Sequence, residues 1–253
     1  MFLLDLDDDA VEKAVDACSP RSLYVIPRVC KRLNAVSAKR RAVIGLLREP
    51  PFHLRKLPST TLDFSGIRLN AAAMRILAKA CAATRVTDLY LAGCRIGNAE
   101  LTELFAGGCA NGALEHCIFL GLRNNAIGDA GTIVLSSALA EGALPKLRDL
   151  RLSNNNIGDA GLSSLSEALA MGALPCVARL DIDGNQIGDA GIAALARAIR
   201  PVSAGGSGAL PQLQQLFLSR NQIGDDGMIK LSEAVAMGAL PSVQVCTCPT
   251  PEA

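Results

Sequence analysis

Along most of the chain the apolar residues keep a fixed rhythm. In the stretch Leu147 to Pro175, LRDLRLSNNNIGDAGLSSLSEALAMGALP, Leu150 and Leu152 alternate with Asp149, Arg151 and Ser153. Alternation of period two predicts a short strand with the leucines on one side and the polar residues on the other. The pattern then changes: Leu162, Leu165, Ala168 and Leu169 recur at helical spacing, and Gly172 followed by Pro175 stops that helix. Asp159 stands where a helix N-cap is wanted. One strand and one helix are predicted for this stretch.

Close copies lie on both sides of it. The first apolar strand position recurs as Val86, Cys117, Leu147, Val177, Leu213 and Val243, with spacings of 31, 30, 30, 36 and 30 residues. A fixed period near thirty means an array of supersecondary units. Asn155 recurs as Asn125, Asn185 and Asn221, with Cys94 in the corresponding place of an earlier copy. An amide there is able to pair with backbone groups left open where the chain turns out of the strand. Asp129, Asp189 and Asp225, with Asn98, repeat the expected cap of Asp159. The order LxxLxLxxN, Ile-Gly-Asp, helix, Gly-Ala-Leu-Pro resembles a leucine-rich repeat, and most closely the ribonuclease-inhibitor-like class.

The expected fold is therefore α/β: a leucine-rich-repeat solenoid over residues 58–253. It would have one degenerate repeat, five full repeats and a final strand. No copy buries its apolar side alone, so neighbours must stack into a continuous parallel sheet backed by helices. Strands stack at roughly 4.8 Å whereas helices need about 8–10 Å, so the stack bends toward the strands into a horseshoe. The degenerate repeat is read at Leu62, Phe64 and Ile67 with a helix from Ala71 to Ala83. Six extra residues around Pro201 to Ser207 predict a loop on the helix-to-strand side, and Cys246 and Cys248 are read as inward positions of the last strand.

Residues 1–57 do not repeat, and two or three helices are expected there, with Pro20 at a first helical position. The run Ser19-Pro20-Arg21-Ser22-Leu23, followed by Val29-Cys30-Lys31-Arg32, resembles an F-box. That resemblance implies a module that docks, through Leu6, Val11, Leu23, Val29 and Cys30, on the adaptor of an SCF-type ubiquitin ligase. The alternative is a helical cap that covers the first edge of the solenoid. Ten Lys or Arg residues against the single acid Glu49 make the part from Arg21 to Lys56 locally basic. A solvated helix face accounts for this, and Lys39-Arg40-Arg41 reads otherwise as an address or a contact for an acidic partner.

Composition narrows the function. Net charge is +1, which provides no electrostatic reason to expect nucleic acid as the main partner. Mean hydropathy is +0.29, yet no run of eighteen apolar residues occurs, and no membrane segment is expected. Asp5 and Asp7 to Asp9 interrupt the N-terminal apolar residues, unlike a signal peptide. The nine cysteines, several at strand positions, suit reduced thiols in the cytoplasm or nucleus. Only His53 and His116 are available as histidines, and neither has a ligand or triad setting, so neither catalysis nor a cofactor or metal is expected.

The polar side of the strands carries the remaining information. Its three columns hold Asp88, Phe119, Asp149, Arg179, Gln215 and Val245; then Tyr90, Gly121, Arg151, Asp181, Phe217 and Thr247; then Ala92, Arg123, Ser153, Asp183 and Ser219. Three of the eight aromatics, Tyr90, Phe119 and Phe217, stand at these outward positions. Aromatic and Arg groups on an open wall are frequent interface anchors. A protein partner is expected there, with Tyr90, Phe119, Arg123, Arg151, Arg179, Asp181, Asp183 and Phe217 as contacts. The charges have a second reading, in which Arg151 with Asp149, or Arg179 with Asp181 and Asp183, only satisfy each other. Besides a ligase subunit, the resemblance leaves open a scaffold, sensor or inhibitor, and a GTPase-activating protein like that acting on Ran.

Overall fold

The computed structural model describes residues 61–83, 85–108, 112, 114–201, 208–240 and 244–246. Leu6, Val11, Leu23, Val29 and Cys30 lie outside the described residues, as do the loop at 202–207 and Cys248. Strands β1 (Thr61–Asp63), β2 (Asp88–Tyr90), β3 (Phe119–Gly121), β4 (Asp149–Arg151), β5 (Arg179–Asp181), β6 (Gln215–Phe217) and β7 (Gln244–Cys246) form one parallel sheet in chain order. Helices α1 (Ala71–Ala83), α2 (Asn98–Gly108), α3 (Asp129–Ala140), α4 (Asp159–Ala170), α5 (Asp189–Ile199) and α6 (Asp225–Ala236) link consecutive strands and pack each on the next.

The core is the layer between sheet and helices. Leu89, Leu120, Leu150, Leu180 and Leu216 occupy one register line, and Leu91, Leu122, Leu152, Ile182 and Leu218 lie two residues on; all are buried. Each contributes on the order of 2 kcal/mol by leaving water. The degenerate repeat has the same layout, with Leu62, Phe64 and Ile67 buried and its helix at the expected residues. Gly172 adopts φ +88°, the left-handed conformation that ends α4, and the Ala173 N–H returns to the Ala168 carbonyl.

The asparagines form a ladder that ties repeats together. Asn155 Oδ1 accepts from the Ile127 N–H of the preceding repeat at 3.1 Å, while its Nδ2 donates to the carbonyls of Leu122 and Leu152. Asn125, Asn185 and Asn221 make equivalent bonds. Cys94 performs the donor half, its thiol reaching the Phe64 carbonyl at 3.1 Å. Burial pushes the thiols of Cys81 and Cys117 up to about 12 and that of Cys94 to about 11. These cysteines act as small apolar residues.

Two expectations are corrected. The recurring aspartates are not the N-caps of their own helices: Gly128, Gly158, Gly188 and Gly224 hold the cap position, and no side chain of the same repeat bonds there. Asp129, Asp159 and Asp189 instead each cap the helix of the next repeat. Asp129 Oδ1 accepts from the N–H groups of Gly158 at 2.7 Å and Gly161 at 2.9 Å, and Asp159 does the same for Gly188 and Gly191. Asn98 and Asp189 continue the line at α3 and α6. A Cβ at Gly161 would stand 2.7 Å from Asp129 Oδ1, so this contact requires the second glycine of Ile-Gly-Asp-Ala-Gly.

The second correction concerns β7. Its register pairs Val245 with Leu216 and Cys246 with Phe217, one residue away from the alignment that put Cys246 in the inward column. Slippage by one exchanges the two faces of a strand.

Candidate protein-binding surface

The outward positions of β2 to β6 carry a continuous line of side chains, because the register aligns each column across neighbouring strands about 4.8 Å apart. Tyr90 at the end of β2 stacks on Phe119 at the start of β3, with ring centroids 4.4 Å apart and planes at 29°. Arg151 at the end of β4 lies over the other part of this stack, its guanidinium carbon 4.9 Å from the Phe119 centroid. Arg179 at the start of β5 covers Phe217 at the end of β6, at 4.4 Å. Both contacts have cation–π geometry. Tyr90, Phe119 and Phe217 are all half-buried, held by neighbours and still reachable.

The charges are distributed unevenly. Arg151 binds Asp149 of its own strand through Nε at 3.1 Å and Nη2 at 2.8 Å, a forked pair between residues two apart on one face. Hydrogen bonding to Asp149 raises the Arg151 pKa further, so that guanidinium stays charged. Arg179 does not pair with Asp181 or Asp183. It donates through Nη1 to Gln215 at 3.2 Å, and its Nε lies 4.0 Å from Asp149 and has no hydrogen-bond acceptor.

Asp181 and Asp183 are met by neutral donors. The buried Ser153 hydroxyl donates to Asp181 at 3.1 Å, and the Ser219 N–H donates to Asp183 at 2.7 Å. Burial, and then the neighbouring Asp181, raise the Asp183 pKa against the pull of the Ser219 N–H. Arg123, two residues past β3, is exposed and forms no ion pair within 4 Å among the described residues.

The eight residues named from the sequence thus lie on one face, seven of them joined by stacking, pairing or adjacency along the strands. Of the two charge pairings read from the columns, Arg151 with Asp149 is present and Arg179 with Asp181 and Asp183 is not. Reading the columns did not show that Gln215 holds Arg179, or that Ser153 is buried beneath Asp181. Among the described residues no three His, Cys, Asp or Glu side chains are grouped to hold a metal ion. Two clefts of about 410 and 200 Å³, around Pro175 and Arg200 and around Pro145 and Met171, are lined by helix ends and the turns after them and by none of these outward residues.

Residues 143–166, 173–196 and 210–232 match the leucine-rich repeat family. These segments are leucine-rich repeats, and the fold is the solenoid such repeats build. Among solved structures the chain is similar to an internalin from Listeria monocytogenes, with 19% identity and a TM-score of 0.27. That similarity covers 74% of this chain and 62% of the internalin chain, so the chain spans less than two thirds of it. No curated protein matches the chain.

Proposed function

We propose that the chain is a non-enzymatic interaction protein that holds a protein partner against the outward face of its strands. Supporting this is the line Tyr90–Phe119–Arg151 with Arg179–Phe217, in which three aromatics and two guanidiniums stand half-buried on an open wall. Solenoids of this kind use their concave side as an extended binding surface, and rigid aromatic and Arg anchors carry most of the energy at interfaces. Replacing Tyr90, Phe119 and Phe217 together by Ser is expected to abolish capture of a partner identified with the native chain by affinity purification and mass spectrometry. Circular dichroism should still show the folded spectrum; undiminished capture by a folded triple variant rejects the reading.

Residues 1–57 extend the proposal. The F-box resemblance at Leu6, Val11, Leu23, Val29 and Cys30 supports a bridging role in the cytoplasm or nucleus, in which these residues dock on the adaptor of an SCF-type ubiquitin ligase and the repeats hold the protein to be modified. Pull-down with purified adaptor is expected to succeed with the native chain and fail with Leu23→Asp and Val29→Asp. Absence of adaptor binding by the folded native chain would leave residues 1–57 the role of a cap.

A further inference from the structure

Charge on the wall is satisfied at its centre and left over on one side. Arg151 and Asp149 neutralise each other, and Arg179 is engaged by Phe217, Gln215 and the edge of Asp149. Asp181 and Asp183, two residues apart on the same face, have only the Ser153 hydroxyl, the Ser219 N–H and the Asp183 N–H as hydrogen-bond donors. No Lys or Arg side chain comes within 4 Å of either in the described residues. Arg151 acts on Asp181, and Arg179 and Arg220 act on Asp183, only from beyond that distance, so a guanidinium or ammonium brought into contact from outside relieves the remaining repulsion while gaining two acceptors.

An apolar seat lies at a fixed distance from this acidic one. The Tyr90–Phe119 stack is on β2 and β3, and Asp181 is on β5, two to three strand spacings away, or roughly 10–14 Å. An extended polypeptide covers that span in about three to four residues.

Resting on the interaction reading above, we infer that the partner of this face is a basic polypeptide segment that seats an Arg or Lys between Asp181 and Asp183 and lays an aromatic or aliphatic side chain on Tyr90 and Phe119. The charge pattern sets the polarity of the partner: an acidic segment would meet carboxylates at β5, with Arg151 and Arg179 already beside Asp149, and among the eight residues named for this face would have only the exposed guanidinium of Arg123 to pair with.

The test uses the full chain and a synthetic peptide, acetyl-Gly-Phe-Ser-Gly-Ser-Arg-Gly-amide, with versions carrying Glu for Arg or Ala for Phe. In NMR titration the Arg peptide is expected to shift the resonances of both seats, Tyr90 and Phe119 as well as Asp181 and Asp183. The Glu and Ala versions should bind about tenfold more weakly or worse, which is about 1.4 kcal/mol, and Asp181→Asn with Asp183→Asn should remove the preference for Arg over Glu. Equal binding of the Arg and Glu peptides to this face overturns the basic partner and leaves the interaction face standing. Shifts confined to other surfaces, or none up to millimolar peptide, overturn the basic partner; only if the triple Ser variant also keeps its captured partner does the interaction reading fall with it. Stabilisation by calcium or magnesium chloride that depends on both aspartates, without peptide binding, would make the pair a cation site instead.

Discussion

The two sides of one strand behave differently. On β4, Leu150 faces the core and is matched by Leu120 and Leu180 in the neighbouring repeats, whereas Asp149 and Arg151 on the other side are matched by Phe119 and Gly121 in one direction and Arg179 and Asp181 in the other. The inner side, with the Asn and Asp ladders that border it, bonds mainly to the backbone of an adjacent repeat, the preceding one for Asn and the next one for Asp. The outer side bonds mainly to other side chains. A backbone partner is the same in every repeat, so the residue that meets it must recur; a side-chain partner is free to change with its neighbour. Repetition marks the frame, and departure from it marks the surface available for recognition.

The comparison predicts a graded series of losses. Asn155→Ala should cost the most, on the order of 2–3 kcal/mol in urea unfolding, because the buried Ile127 N–H loses its acceptor and the Leu122 and Leu152 carbonyls each lose one of two amide donors. A loss below about 1 kcal/mol would mean that water replaces the amide and that the ladder is ornamental. Asp159→Ala should cost about 1–2 kcal/mol by uncapping α5 in the following repeat. Gly191→Ala should destabilise more in the native background than beside Asp159→Ala, since the new Cβ would stand 2.7 Å from Asp159 Oδ1. Additive effects in that double-mutant cycle would refute capping across the repeats.

On the outer side the sign reverses. Asp183 has its pKa raised in the folded protein, so its charge destabilises the fold above that pKa; the penalty fades as pH falls through the raised pKa and is gone below the value in the unfolded chain. Asp183→Asn is therefore expected to raise the melting temperature slightly at neutral pH, with the gain shrinking as pH drops through the carboxylate range. A loss at neutral pH would show that Asp183 belongs to the frame. Its gain in stability should coincide with weaker binding of the Arg peptide, the pattern of a residue kept for recognition at some cost to the fold.

Much of this was legible beforehand. The period from Val86 to Leu213, the inward leucines, the asparagine ladder and the outward columns of β2 to β6 follow from two spacings in the sequence, two residues for a strand and thirty for a repeat, and all five first strand positions from Val86 to Leu213 are buried. The aromatics were identifiable because only eight exist and three fall on outward positions.

The amino-acid sequence alone determined that the chain must stack: each copy carries one apolar side, and only a neighbour with the same side hides it. Tertiary structure decided what happens between copies. Whether Asp129 caps α3 or α4 depends on how far one helix end lies from the next, not on spacing within a repeat. Whether Arg179 turns to Asp181 or to Phe217 depends on competition among side chains from three strands. The shift of Val245 into line with Leu216 has the same origin, since a register is a choice between two strands and is written in neither of them singly.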